Sequence, residues 1–338
     1  MKNQQRTKKH HFVPECYLKN FIREKCLFTL DVRKVQKGYN TQCKESQPGM
    51  ICYLEDYYKI ESGSLNNQFQ LNGYDDLFIE TDVLTSLEGK YGDLWNKITA
   101  KQELKLAEAV NMADFIIQMK LRNPYWFEHT VKKYKDEWID SAMDSIYKEK
   151  FITDPRFAHI PEDIQKLVYD YVREDNKSDA SFSKKMQLFG LIQRYSKDPE
   201  RNIKLREAII NCQWTLLTAP QQGPYFITSD NPGFSTANDE LTYNTKFSKG
   251  FYFHFPLSPI HCLLITDYAM DNCYSENHRV KYMPTVNIGA DGVIQVNNRS
   301  MQCVNKLLVA SDDWYLSQIA VINNPKKCSD KVDLPINS

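Results

Sequence analysis

Two adjacent histidines, His10 and His11, precede Phe12-Val13-Pro14 near the start of the chain. Histidine exchanges a proton near neutral pH, so either ring could act as general base or acid. Neighbouring side chains leave a strand on opposite faces and a helix about 100° apart, so the pair is not built to grip one ion. One ring is expected to face a site while the other packs. Carboxylates come next. Ile79, Val83, Leu84, Leu87, Tyr91, Leu94 and Ile98 recur at helical spacing; Glu80 falls near the middle of that apolar face and Glu88 at its edge. A carboxylate inside a buried stripe is costly unless paired or bound. Catalytic groups and structural ion pairs both leave this pattern.

Residues 104–121 are apolar almost all round, which predicts a buried central helix. Asn111, Asp114, Gln118 and Arg122 form a narrow polar stripe on it. The stripe reads either as a polar seam, with Arg122 neutralising Glu80, or as one wall of a site. Asp230 follows a predicted strand, 225–228, and leads into Asn231-Pro232. A carboxylate at a strand end suits a metal ligand or a base, although Ser229-Asp230-Asn231-Pro232 is also an ordinary Asx-type turn.

Other chemistries drop out. There is no P-loop, H-E-x-x-H, EF-hand or G-x-S-x-G pattern. Asp82 with Glu88-x-Lys90 has the spacing of many metal-dependent nucleases, but those enzymes place the Glu and Lys on a strand. Helical periodicity here turns them about 160° apart, and the match is rejected. Nine cysteines at irregular spacing contain no C-x-x-C pair, which predicts reduced, mostly buried thiols.

The elements that position these groups alternate in character. Residues 26–60 read as β with turns, 57–60 included. Helical patterns then run over 76–99, 104–122, 125–150, 162–173, 181–195 and 200–212, with Asn123-Pro124 interrupting the series. Strands are expected at 214–219, 225–228, 250–255 and 262–266, a helix at 300–310 and a last strand at 314–322. The layout predicts an α+β fold: a central buried helical block, 76–212, flanked by N-terminal (26–60) and C-terminal (213–322) β segments that form one mixed or antiparallel sheet. One composite domain spans 1–323, and 324–338 is expected to be a disordered tail.

Lys plus Arg equals Asp plus Glu at 43 each, so no global field favours a polyanion; the basic opening (Lys2, Arg6, Lys8, Lys9) is the one local patch. That opening runs into His-His-Phe rather than an apolar stretch, and the longest apolar runs are too short to span a bilayer. A cytoplasmic protein without membrane association is expected.

The run from Lys9 to Phe21, with Phe226-Ile227-Thr228-Ser229-Asp230-Asn231-Pro232 much later, resembles the bacterial family catalogued as domain of unknown function 4238. The resemblance covers residues 10 to about 316 and takes in Ile79-Glu80…Glu88 and Arg122. It implies one composite site, built from the N-terminal segment, two central helices and a strand-end turn. His10, His11, Glu80 and Asp230 are the catalytic candidates, and Asn111, Gln118, Arg122 and Ser229 the substrate contacts. Glu80, Glu88 and Asp230 are hard oxygen ligands suited to Mg²⁺ or Mn²⁺. This mixture fits a metal-dependent nuclease acting on DNA or RNA, with a bacterial phage-defence or conflict effector as its setting. The alternatives are a non-catalytic protein-binding module of an operon-encoded multi-protein system, whose polar core is structural, and a nucleotide-binding transferase.

Overall fold

The computed structural model describes residues 8–39, 41–61, 73–147, 154–157, 159–196, 206–237, 240–242, 250–269 and 280–322. The tail expected at 324–338 and the basic residues Lys2 and Arg6 lie outside them. Helices and antiparallel or mixed sheets make an α+β fold. Two compact units are interwoven along the chain: residues 1–57, 84–123 and 199–338 form the first, and 58–83 with 124–198 form the second.

Two larger sheets organise the first unit. One has six strands in the order Thr285–Asn287, Cys212–Thr218, His261–Ala269, Phe251–Pro256, Phe234–Ala237 and Glu240–Thr242; the first pair is parallel and the rest antiparallel. The other has four antiparallel strands, Lys44–Ser46, Leu27–Asp31, Leu307–Ala310 and Thr228–Ser229. N-terminal and C-terminal strands therefore do share a sheet, but most C-terminal strands build their own. The reason is packing. Helix Ala290–Gln302 lays Val293 and Val296 on Leu217, Phe234 and Cys262 of the larger sheet. Helix Asp313–Ile322 lays Leu316 and Ile319 on Leu30 and Leu308 of the smaller one. The expected strand at 314–322 is thus a helix, and the expected helix at 300–310 divides between the end of one helix and the strand Leu307–Ala310. Near the start, the strand is Tyr53–Glu55, and 57–58 turn.

The central helices are Thr85–Thr99 and Leu106–Leu121. The second begins where the Glu108 carboxylate accepts the Lys105 N–H at 2.9 Å, satisfying a donor the helix cannot. The pair is locked by Tyr91 stacked on Phe115, with ring centroids 4.1 Å apart. Ile79–Leu84 is a π-helical segment, wound more widely than an α-helix. Helix Lys135–Ile146 packs on helix Glu162–Ser178 through Asp140, which bonds Arg173 (2.5 Å) and Lys177 (2.6 Å). Those cations hold the Asp140 carboxyl down at about 2.

Four described cysteines are buried and three half-buried, all free thiols. Among the described residues, no helix is long and apolar enough to cross a membrane.

Candidate functional site

The strand Lys9–His11 pairs antiparallel with Tyr53–Glu55, setting His11 opposite Tyr53. Strand alternation buries His10 completely and leaves His11 half-buried, its ring tilted on Tyr53 at 5.6 Å. Val13-Pro14 stops the strand, and the Pro14 carbonyl accepts the Tyr17 and Leu18 N–H groups of the short helix Glu15–Leu18. One turn on from His11, Glu15 brings Oε1 to 3.8 Å from its Nε2. The same carboxylate lies over Gly49, where a Cβ would sit 2.8 Å from Oε1.

Arg122 closes the helix Leu106–Leu121 and reaches the same region. Its Nε donates to the Phe12 carbonyl (3.2 Å) and its Nη1 to Glu88 Oε1 (2.7 Å); Arg122 is 2 % exposed and Glu88 30 %. Burial lowers the His11 pKa; Glu15 and Glu88 pull it up and Arg122 pushes it down again. The ring is therefore neutral at pH 7. Cys16, next to this cluster, is pushed up to about 12 by burial and by Glu88, so it is a thiol and not a nucleophile.

The second pole is the turn after the strand Thr228–Ser229. Asp230 N–H donates to the Leu307 carbonyl (2.9 Å), and its carboxylate accepts the N–H groups of Asn305 (3.0 Å) and Lys306 (2.8 Å). Burial raises its pKa to about 6 against the pull of those amides and of Arg33. Ser229 Oγ accepts the Asn231 N–H at 3.1 Å. Asn231 donates to the Cys303 carbonyl and accepts from Lys120 Nζ (3.3 Å), which also donates to the Gly233 carbonyl (2.6 Å). Lys120 is buried and desolvation lowers its pKa to about 7.

Three hydrogen bonds tie the motifs together across the sequence. The Tyr17 hydroxyl donates to the Pro256 carbonyl (2.6 Å), which leaves the Thr228 hydroxyl to donate to Tyr17 at 2.7 Å. Asn123 Nδ2 donates to the Asp230 carbonyl (2.7 Å), one residue after Arg122 holds Phe12. His11, Glu88 and Arg122 are thus gathered around Phe12, and Ser229 and Asp230 are joined to them through Asn123 and Tyr17. Asn111 accepts from Lys90 (3.3 Å), and Asp114 is held by both nitrogens of an Arg206 fork at 2.9 Å. Gln118 is buried, with Oε1 lacking a hydrogen-bond partner among the described residues. Glu80 is half-buried in the π-helical segment of the second unit.

Of the oxygens proposed for Mg²⁺ or Mn²⁺, Glu88 Oε1 accepts from Arg122 and both Asp230 oxygens accept backbone amides. Among the described residues, no three His, Cys, Asp or Glu groups are placed to hold a metal ion. Sequence reasoning missed Tyr17, Lys120, Asn123 and Asn231. Lys120 had a readable signal, a cation opposite the polar stripe of an otherwise apolar helix; the others announce themselves only through partners more than 70 positions away.

No curated protein and no solved structure matches the chain. The family model described as protein of unknown function (DUF4238) matches residues 9–313, from the histidine-bearing strand to the start of the last helix, and the chain belongs to that family.

Proposed function

We propose that this protein is a non-catalytic protein-binding module that captures a basic amphipathic helix, its polar motifs serving to hold the fold. The observation that carries this reading is the outer face of helix Glu162–Ser178. Ile164, Leu167, Val168, Tyr171 and Val172 recur at helical spacing and are 45, 66, 43, 73 and 38 % exposed. An apolar stripe of that kind on a monomer marks an interaction surface. Asp163, Asp170 and Glu174, all exposed, line one edge of it at spacings of seven and four. A second copy laid antiparallel on the stripe would set one acidic row against the other, so charge favours a partner with lysines or arginines along its flank. The motif groups add support, because Asp230 and Ser229 accept backbone N–H groups and Arg122 is held by the Phe12 carbonyl and Glu88.

The test uses the full chain and a synthetic amphipathic peptide of about five turns, with leucines on one face and lysines beside them. Micromolar binding by calorimetry is expected. Leu167→Glu should weaken it at least about tenfold, or about 1.4 kcal/mol, without changing the melting temperature. Asp163→Lys with Asp170→Lys should transfer the preference to a glutamate-flanked peptide. Equal binding of both peptides to the unmodified chain would sink the proposal, as would a dimer by light scattering that Leu167→Glu dissolves.

A second reading rests on His11, a neutral imidazole beside Glu15 and Glu88 with Arg122 adjacent, which is the chemistry a phosphodiesterase uses. Cleavage of DNA or RNA with Mg²⁺ or Mn²⁺, stopped by EDTA and by His11→Ala, would put the nuclease in place of the binding module.

A further inference from the structure

A cleft of about 600 Å³ opens in the first unit, away from His11 and Glu88, between the segment leading into the 226–232 turn and the start of helix Asp313–Ile322. That volume lies within the usual range of small-molecule sites. Its walls are aromatic: Tyr225 from the segment, and Trp314 and Tyr315 from the first turn of the helix. Trp314 is 64 % exposed at the lip. A single amide sets both walls. Asn297, fully buried, donates to the Tyr225 carbonyl (2.8 Å), accepts the Ile227 N–H (3.1 Å) and bonds the Tyr315 hydroxyl. The Tyr225 hydroxyl is fixed in turn on the Gln221 carbonyl at 3.0 Å. A ligand entering here orders little of the protein, which favours binding.

Two charged groups stand among these rings. The Arg23 guanidinium lies over the Tyr225 ring, 5.6 Å from its centroid, and no carboxylate is paired with it among the described residues. Asp312 lines the same cleft. Aromatic faces take a flat ring, one unneutralised guanidinium takes one phosphate, and a carboxylate takes adjacent N–H donors. Guanine alone among the common bases offers two neighbouring donors, N1–H and N2–H, to a carboxylate. We infer that this cleft binds a guanine mononucleotide: base stacked on Trp314, Watson–Crick edge on Asp312, phosphate on the Arg23 guanidinium that lies over Tyr225.

Calorimetry on the full chain with GMP, AMP, guanosine and a short single-stranded oligonucleotide tests this. GMP should bind at micromolar concentration, with AMP and guanosine each weaker by about tenfold or more. Arg23→Ala should make GMP and guanosine equal, and Asp312→Asn should abolish the preference over AMP. Trp314→Ala should weaken GMP and guanosine alike by about tenfold. Arg23 and Trp314 are exposed, so their variants should melt with the parent. Absence of GMP binding at millimolar concentration would overturn the assignment, as would GMP binding unaffected by Arg23→Ala. Binding of the oligonucleotide without binding of GMP would also overturn it, and would reassign the cleft to a nucleic-acid strand.

Discussion

Lys120 is an amine buried in the last turn of the helix Leu106–Leu121, and its proton should be visible in stability. Burial lowers its pKa to about 7 from 10.5, so between those values the folded chain holds fewer protons than the unfolded one. The penalty of burying the ammonium is therefore full below pH 7 and fades as pH rises. Lys120→Met removes that penalty, so its gain in melting temperature over the parent should be largest near pH 6.5 and shrink towards about pH 10. Asp230 runs the other way. Its folded pKa of about 6 exceeds 3.8, so its contribution is present below pH 3.8 and lost as pH rises through 6. The melting gap between the parent and Asp230→Asn should be widest near pH 4 and narrow by pH 7. The opposed fates of His10 and His11 were legible from adjacency alone, because a strand must send neighbours to opposite faces. The loop-clamping role of Asp230 was not, since its amide partners lie 75 and 76 positions on.

Among the elements, the turn that carries Asp230 has the least freedom. Gly233 has φ +76°, and a Cβ there would stand 2.8 Å from the Phe253 ring, 2.9 Å from Phe255 and 3.0 Å from the His254 carbonyl. Two of those neighbours are fully buried rings, so nothing gives way. Gly233→Ala should cost more than about 2 kcal/mol in urea unfolding, adding overpacking to backbone strain. Long periodic helices were readable, as 162–178 and 182–196 lie within a few residues of expectation. The last helix was not. Residues 314–322 form a short apolar run that suits either state, and only Leu316 and Ile319 packing on Leu30 and Leu308 decides it. The π-helical start at Ile79–Leu84 was not readable, because no sequence rule marks where a helix widens, yet Ile79, Val83 and Leu84 are buried as the helical spacing requires.

For the molecule as a whole, α+β was legible from the order of segments, whereas the division of strands between two sheets was not. Strand partners are chosen by helices that cover them, and that choice is long-range. The strand Leu307–Ala310 sits between Leu27–Asp31 and Thr228–Ser229, so it is the only link between the N-terminal hairpin and the turn bearing Asp230 within that sheet. A chain ending at residue 302 should lose cooperative unfolding in urea, measured by circular dichroism and tryptophan emission together.

That strand order also bears on how the chain is made. Leu27–Asp31 leaves the ribosome about 276 residues before its partner strand. At about 5–20 residues per second it waits about 14–55 s with one edge unsatisfied. The second unit, complete by residue 198, has all its residues synthesised well before that. Nascent chains arrested near residue 300 should therefore be cut readily by protease around residues 27–46, and that sensitivity should vanish once residues 307–310 have emerged.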